Sequence, residues 1–311
     1  MFDFLKKWLG QIRSPVSETL PPLPLGSSDP DATVPLPELG LRASDHDQIW
    51  PRPSPTRFTV GLAQHVGQVR THNEDVLLAF TGELRGLEPM PHIGLFVVAD
   101  GMGGHSLGER ASGIAGRTLA RVVLENVLPS LLADPRSDYE RPSLTEVMEL
   151  AIAEANRTVV RLVPEGGTTL TGALIVGDQL ILCHVGDTRA YVISDGKMEQ
   201  LTRDHSLVQR LKEMGQLTDD EAAVHPQRSV LYRAIGQGEG LEADVISRRL
   251  SPGTILIVCS DGLWSLVPDH IIHQIIRQSP SIQDACEALV HAANEAGGPD
   301  NITVVIVQLP G

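Results

Sequence analysis

Short segments that carry aspartate are spread over more than two hundred residues of this chain, and they hold the residues best suited to chemistry. They are Asn73-Glu74-Asp75, Asp100-Gly101-Met102-Gly103-Gly104-His105, Gly186-Asp187-Thr188-Arg189, Ser260-Asp261-Gly262 and Pro299-Asp300-Asn301. Most of them lie where an apolar run meets a glycine. A carboxylate at the end of a buried strand is held rigidly, and its burial is unfavourable unless a positive partner meets it. Several such strand ends together would form an all-oxygen site for hard divalent cations.

Carboxylates around two divalent ions would support hydrolysis of a phosphoester. Such ions lower the pKa of a bridging water, offset charge on the phosphoryl group and align attack with departure. Asp100 can bridge two ions, and the carbonyl of Gly101 can approach one because glycine has no side chain. Arg70 offers a planar fork of donors that suits a phosphate. A single Asp-Gly pair is typical of a turn, so the interpretation depends on the combination. With no P-loop and no recognised nucleophile elbow, attack by metal-bound water is favoured over a covalent intermediate.

The elements that must position these residues follow from the periodicity of the chain. Runs typical of strands cover residues 58–63, 76–80, 93–99, 169–176, 179–184, 189–193, 243–247, 254–259 and 302–308. Helical patterns cover about 107–127, 144–162, 268–278 and 282–296. Consecutive strands without an intervening helix favour antiparallel pairing. We therefore expect an α+β fold in which two sheets pack on each other and helices lie outside.

Composition excludes several classes of protein. The net charge of −14 argues against a nucleic-acid binder or a polybasic membrane protein. It indicates a soluble cytoplasmic protein, and part of the acidity can also belong to the metal site. The three cysteines lack the spacing of a disulfide framework or a zinc site. We find neither an apolar stretch long enough to span a membrane nor a secretory signal.

The chain divides into two parts. Residues 1–56 form an N-terminal extension, and residues 57–311 have globular composition. Within the extension, residues 1–13 carry apolar side chains at helical spacing together with lysine and arginine. They are either a short amphipathic helix that docks on a partner or membrane surface, or a frayed terminus. The rest of the extension is Pro-rich and indicates a disordered linker.

Six stretches of the globular part, in this order, resemble the metal-dependent protein phosphatases of the type-2C class, in their bacterial branch. They are residues 66–75, 98–105, 167–169, 184–189, 259–264 and 298–303, and the likeness extends over about residues 58–309. The resemblance implies a β-sandwich of two antiparallel sheets flanked by helix pairs, in four layers (αββα). It also implies two Mn²⁺ or Mg²⁺ ions in a cleft at one edge and hydrolysis of phosphoserine and phosphothreonine in proteins.

The resemblance further implies a set of metal ligands: Asp75, Asp100, Gly101, Asp187, Asp261 and Asp300. Asp100 would bridge both ions, and the Gly101 carbonyl would bind one. Asp261 and Asp300 would complete the ligand set of the other ion. Asp75 would act mostly through metal-bound waters. Asp187 together with Asp261 would form the weaker third metal site of bacterial members.

The resemblance leaves the general acid open. Arg70 would bind the substrate phosphate, so the catalytic set would be Asp100, Arg70 and His105. Animal members carry histidine directly after the Asp-Gly pair, where this chain has Met102, and His105 follows three residues later. His105 is either the proton donor to the leaving alkoxide, because histidine titrates near neutrality, or a structural hydrogen-bonding residue.

A segment of about residues 203–236 matches the flap of the family. We predict a lid of short helices that selects protein substrates. Arg228 and Arg233 either help to dock phosphopeptides or are solvated surface residues.

The predicted function is that of a monomeric protein serine/threonine phosphatase that counteracts serine/threonine kinases in a bacterial cytoplasm. One alternative is a phosphoprotein-binding regulator with little turnover, which would need a lost ligand. The other is a different two-metal phosphoester hydrolase. Such enzymes usually carry histidine ligands, because imidazole suits zinc and iron, whereas these segments are dominated by aspartate.

Overall fold

The structure is a computed structural model that describes residues 57–84, 90–103, 106–133, 142–238 and 240–311. The predicted N-terminal extension, residues 1–56, lies outside the described residues. His105, the candidate general acid, also lies outside them.

The described strands form two antiparallel sheets. In chain order the strands are β1 (Thr59–His65), β2 (Asp75–Leu84), β3 (Met90–Met102), β4 (Gly167–Thr168), β5 (Leu170–Val176), β6 (Gln179–Val185), β7 (Arg189–Ser194), β8 (Lys197–Gln200), β9 (Asp244–Arg249), β10 (Ile255–Cys259) and β11 (Ile302–Gln308). The first sheet has the order β1-β11-β10-β7-β8. The second has the order β2-β3-β5-β6-β9, with the short β4 paired to the end of β3.

The helices flank these sheets. They are α1 (Ser106–Leu132), α2 (Leu144–Leu162), α3 (Leu207–Glu213), α4 (Asp219–Ala223), α5 (Asp261–Trp264), α6 (Asp269–Gln278) and α7 (Ile282–Glu295). The long helices α1 and α2 pack on each other and on the second sheet, while α7 packs on the first sheet and against α6. None of the helices in the described ranges is both long and apolar enough to cross a membrane.

Strand β3 shows why the second sheet lies in the middle of the layers. Leu95 and Val97 belong to the cluster that includes the apolar faces of α1 and α2. Phe96 and Val98 belong to a separate cluster that includes side chains of β7, β10 and β11 from the first sheet. Because successive side chains of a strand point to opposite faces, an unbroken apolar run is what a strand covered on both faces requires.

The fold prediction is confirmed: this is an α+β protein with two packed antiparallel sheets and outer helices. All nine predicted strands and four predicted helices are present, with ends within a few residues of those expected. The sequence reading missed β4 and β8, which are two and four residues long, and the single turn of α5. These elements are too short to show a period.

Candidate metal and phosphate site

The two sheets bring the predicted carboxylates to one edge of the sandwich. Asp75 opens β2, and Asp100, near the end of β3, is its partner in the antiparallel register. In the other sheet, β10 ends directly before Ser260 and Asp261, and Asp300 lies just before the adjacent strand β11. Segments that are distant in sequence therefore supply neighbouring strand ends.

A hydroxyl pair joins the carboxylate of one sheet to the strands of the other. The Thr303 Oγ1 donates to Asp75 Oδ2 at 2.6 Å, and Gln64 Nε2 donates to Thr303 Oγ1 at 3.0 Å. The Thr303 backbone N–H in turn donates to Ser260 Oγ at 3.0 Å. This chain of bonds fixes Asp75 relative to β11 and to the end of β10.

The backbone around Asp100 is held by two threonines. Its N–H donates to Thr169 Oγ1 at 2.9 Å, and its carbonyl accepts from Thr169 N at 2.8 Å and from Thr168 Oγ1 at 2.8 Å. At Gly101 a Cβ would lie 2.3 Å from the Gly108 carbonyl oxygen at the start of α1, so only glycine fits this approach. The strand end and the helix thus meet directly at the site.

Burial of the carboxylates disturbs their titration strongly. Burial raises the pKa of Asp75 to about 7 and that of Asp261 to about 6, and neighbouring negative charges add to both shifts. Burial also holds the pKa of Asp100 and Asp187 well above the ordinary range, with Asp261 adding to each. Mutual repulsion of this kind means that the groups lie close together without enough positive charge between them.

Unpartnered oxygens show that the ligand set suits a cation. The buried atoms Asp75 Oδ1 and Asp261 Oδ1 have no hydrogen-bond partner among the described residues. An unpaired buried carboxylate oxygen is unfavourable, and a hard divalent cation prefers such oxygens. As the side chains stand in the described ranges, no three His, Cys, Asp or Glu side chains close around one point. The residue types fit a divalent ion, although the cage is not closed.

The ion pair between Arg70 and Asp300 is one reason why the described carboxylates do not close around a single point. Arg70 Nη2 donates to Asp300 Oδ2 at 2.7 Å, and Asn301 N donates to Asp300 Oδ1 at 2.9 Å. Both oxygens of Asp300 are therefore engaged within the chain. The Arg70 side chain is half exposed, so the predicted phosphate-binding residue lies at the mouth of the site.

Asp187 lies in the turn between β6 and β7, and Trp264 of α5 binds its backbone. Its carbonyl accepts from Trp264 Nε1 at 2.9 Å, and the guanidinium of Arg189 stacks on the Trp264 ring at 3.6 Å. Arg189 also forms a buried ion pair with both oxygens of Asp204, the closest contact being 2.7 Å. After burial, the negative charge of Asp261 raises the pKa of Asp187 further, which indicates that the two carboxylates lie close together.

Asn301 is a site residue to which the sequence reading gave no role. Its Oδ1 accepts from Glu74 N at 2.7 Å, and its Nδ2 donates to the carbonyls of Val66 and His72, each at 2.9 Å. The side chain therefore holds the whole loop that carries Arg70 against the start of β11. The signal that could have revealed this role is its position directly after Asp300, in a loop whose backbone must be held in place.

The comparisons with known proteins agree with this geometry. The Protein phosphatase 2C family profile matches residues 63–302, which is more than half of the chain. The chain belongs to the protein phosphatase 2C family.

Two curated relatives of this protein phosphatase 2C chain are bacterial. The serine/threonine phosphatase stp of Listeria welshimeri is 33% identical over 244 residues, which cover 78% of this chain and 92% of that protein. The serine/threonine protein phosphatase PstP of Mycobacterium tuberculosis is 35% identical over 249 residues, which cover 78% of this chain and 43% of that protein.

Solved structures show the same fold. The Mycobacterium tuberculosis serine/threonine phosphatase PstP/Ppp aligns with a TM-score of 0.68 at 32% identity, covering 82% of this chain and 99% of that one. The catalytic domain of PstP in complex with two manganese ions aligns with a TM-score of 0.66 at 30% identity, with 82% and 99% coverage.

In this protein phosphatase 2C domain the flap begins beside the Asp187 loop. His205 N donates to Gly186 O at 2.7 Å, and Gly186 N donates to His205 Nδ1 at 3.1 Å. Arg233, a candidate for phosphopeptide docking, is already paired with Glu242 and Asp244.

The prediction that the flap is built of short helices agrees with α3 and α4. Arg228 is exposed there, whereas Arg233 is engaged in ion pairs.

Proposed function

We propose that this chain is a metal-dependent protein serine/threonine phosphatase that hydrolyses phosphoserine and phosphothreonine in proteins. The observation that carries the proposal is the group of buried aspartates at one edge of the sandwich, two of which have an unpartnered oxygen. Family membership and the named activity of the relatives support it.

The proposed ligands are Asp75, Asp100, the Gly101 carbonyl, Asp261 and Asp300, with Asp187 and Asp261 at a weaker third site. Two divalent ions, Mn²⁺ or Mg²⁺, would activate a bridging water for attack on phosphorus and offset phosphoryl charge. The catalytic domain of the relative PstP forms a complex with two manganese ions, which supports Mn²⁺ as a metal of this site.

The chain's own residues bind and orient the substrate. A guanidinium has five N–H donors, and Asp300 accepts from only one nitrogen of Arg70. Arg70 therefore keeps donors for the phosphate while it stays beside Asp300. Two threonines fix the Asp100 backbone, and Asn301 holds the loop that carries Arg70. These contacts would keep the phosphate aligned with the metal ligands. Whether His105 protonates the leaving alkoxide stays a prediction.

Partners and setting follow from the proposed activity. Substrates are proteins phosphorylated by serine/threonine kinases, which the enzyme counteracts as a cytoplasmic monomer. Residues 57–311 are the catalytic domain in this proposal. Residues 1–56 are an extension whose first 13 residues dock on a partner or a membrane surface.

The test is hydrolysis by the full chain in excess Mn²⁺. Asp100→Asn should abolish release of phosphate from both para-nitrophenyl phosphate and a phosphothreonine peptide. Asp195→Asn, the same change in an exposed turn, should leave both rates unchanged. Full activity in Asp100→Asn would end the proposal. Faster cleavage of bis-para-nitrophenyl phosphate than of the monoester would assign the site to phosphodiester hydrolysis instead.

A further inference from the structure

Asn156 is a polar side chain on the buried face of helix α2. It is 1% exposed, and the neighbouring positions Ile152, Ala155 and Val159 on the same face are apolar and buried. An amide in such a place is unfavourable unless both its oxygen and its nitrogen are hydrogen-bonded. Asparagine is also a poorer helix former than alanine, so helix propensity gives no reason for it here.

Both polar atoms of Asn156 bind the chain where the flap ends. Its Oδ1 accepts from Gly236 N at 2.8 Å, and its Nδ2 donates to Gly238 O at 2.7 Å. The backbone comes very close at this point. Gly236 has a φ of +93°, and a Cβ there would lie 2.5 Å from the Gly166 oxygen. Residues 234–238, which we call the flap exit, therefore pack closely on the end of α2 and the loop after it. The Asn156 side chain binds this segment like a clamp.

The clamped segment leads directly to the strand that carries the metal ligands. Ile235 N donates to Thr168 O at 2.9 Å, and Thr168 N donates to Ile235 O at 3.0 Å. Thr168 also pairs with Gly101, and its hydroxyl donates to the Asp100 carbonyl. In the described structure, the flap exit is thus hydrogen-bonded to the rest of the domain at two places: the backbone bridge to β4 and the Asn156 side chain.

We propose that Asn156 is a positioning residue, which fixes the exit of the flap and thereby sets how protein substrates, but not small phosphoesters, are held at the site. The kinetic part rests on the proposed phosphatase function; the clamp itself does not. Asp100 keeps its bonds from Thr168 and Thr169 when Asn156 is lost, so the ligand strand should stay in place. Among the described residues, the flap exit would then keep the Ile235 bridge as its one hydrogen-bonded link to the rest of the domain, while Arg233 keeps its ion pairs with Glu242 and Asp244.

The first experiment measures amide hydrogen exchange in the full chain without metal or substrate, resolved to single residues by NMR. In the wild-type chain the Gly236 amide should be protected from exchange to the same degree as the Ile235 amide, because both donate hydrogen bonds. In Asn156→Ala the protection of Gly236 should fall by about tenfold or more, since loss of two hydrogen bonds changes an opening equilibrium by that order. Asn126→Ala removes an asparagine whose described hydrogen bond is to the Val122 carbonyl within α1, and it should leave the protection of Gly236 unchanged.

The second experiment compares two substrates. Asn156→Ala should raise the KM for a phosphorylated protein by about tenfold, because productive docking then requires ordering of a loosened flap. Its kcat and KM for para-nitrophenyl phosphate should stay within about twofold of wild type. Asn156→Asp keeps an acceptor for Gly236 N but places a second oxygen against the Gly238 carbonyl, so its KM for the phosphorylated protein should also rise above that of the wild-type chain.

Three results would overturn the proposal. One is fast exchange of Gly236 in the wild-type chain, which needs no variant to fold. Another is a folded Asn156→Ala chain with unchanged Gly236 protection. The last is an equal loss of activity toward both substrates. If Asn156→Ala loosens Gly236 while the wild-type chain hydrolyses no phosphoester, the clamp stands and the proposed function fails.

Discussion

Asp261→Asn should make the metal-free protein more stable, although it removes a proposed ligand. Burial, with the charge of Asp300 adding to it, raises the pKa of Asp261 from 3.8 to about 6. The folded state therefore holds this proton more tightly than the unfolded state, and stability is lost as the pH rises from about 4 to about 6. The full loss, present above pH 6, corresponds to about 3 kcal/mol. The amide of Asn carries no charge, so the variant does not lose this stability at high pH.

The assay is urea unfolding in EDTA, followed by circular dichroism at two pH values. Asp261→Asn should be more stable than wild type by about 3 kcal/mol at pH 8 but by only about 1 kcal/mol at pH 4.5. The control Asp195→Asn makes the same change in an exposed turn and should stay within about 0.5 kcal/mol at both pH values. A less stable Asp261→Asn at pH 8, or a gain that does not depend on pH, would refute the reasoning. With Mn²⁺ at about a hundred times its dissociation constant, wild type should gain about 2.7 kcal/mol and the variant should not.

Three further predictions concern the residues around the carboxylates. Arg70→Ala should lower kcat/KM for phosphoesters by about ten- to a hundredfold, because it removes charge-assisted bonds to phosphate; an unchanged value would contradict the phosphate role. Asp204→Ala should cost about 3–5 kcal/mol in unfolding, since it leaves a buried guanidinium unpaired. The control Glu154→Ala, which removes a partly exposed ion pair with Arg157, should cost less than about 1 kcal/mol, and equal losses would count against the argument from burial. Asn301→Ala should cost about 2 kcal/mol or more through three lost hydrogen bonds, and a loss no larger than that of Asn126→Ala would contradict it.

The layers of the fold were predictable because each element carries its own periodic signal. The apolar run at residues 93–99 indicated a buried strand, and the structure places its alternate side chains in two cores. The spacing of apolar residues over 144–162 predicted a helix, and that helix is α2. Signals of this kind are local, so a single sequence is enough to read them.

The way in which the strand ends are joined was not predictable, because it depends on pairs that are distant in sequence. Thr303 meets Asp75 across 228 positions, and Asn301 meets Glu74 across 227. Asn156, for which the sequence predicted only a place within a helix, meets Gly236 across 80 positions. A hydroxyl or amide that spans such a separation leaves no periodic trace. The aspartates themselves were recognisable because each follows or precedes a strand, while the residues that hold them were not.

The most direct test of the central claim is the number of Mn²⁺ ions that the EDTA-treated full chain binds, measured by isothermal titration calorimetry. The carboxylate site predicts two core ions for the wild-type chain and for Asp195→Asn, and a loss of this binding in Asp100→Asn. Equal Mn²⁺ binding by wild type and Asp100→Asn, or a wild-type chain that binds none, would contradict it.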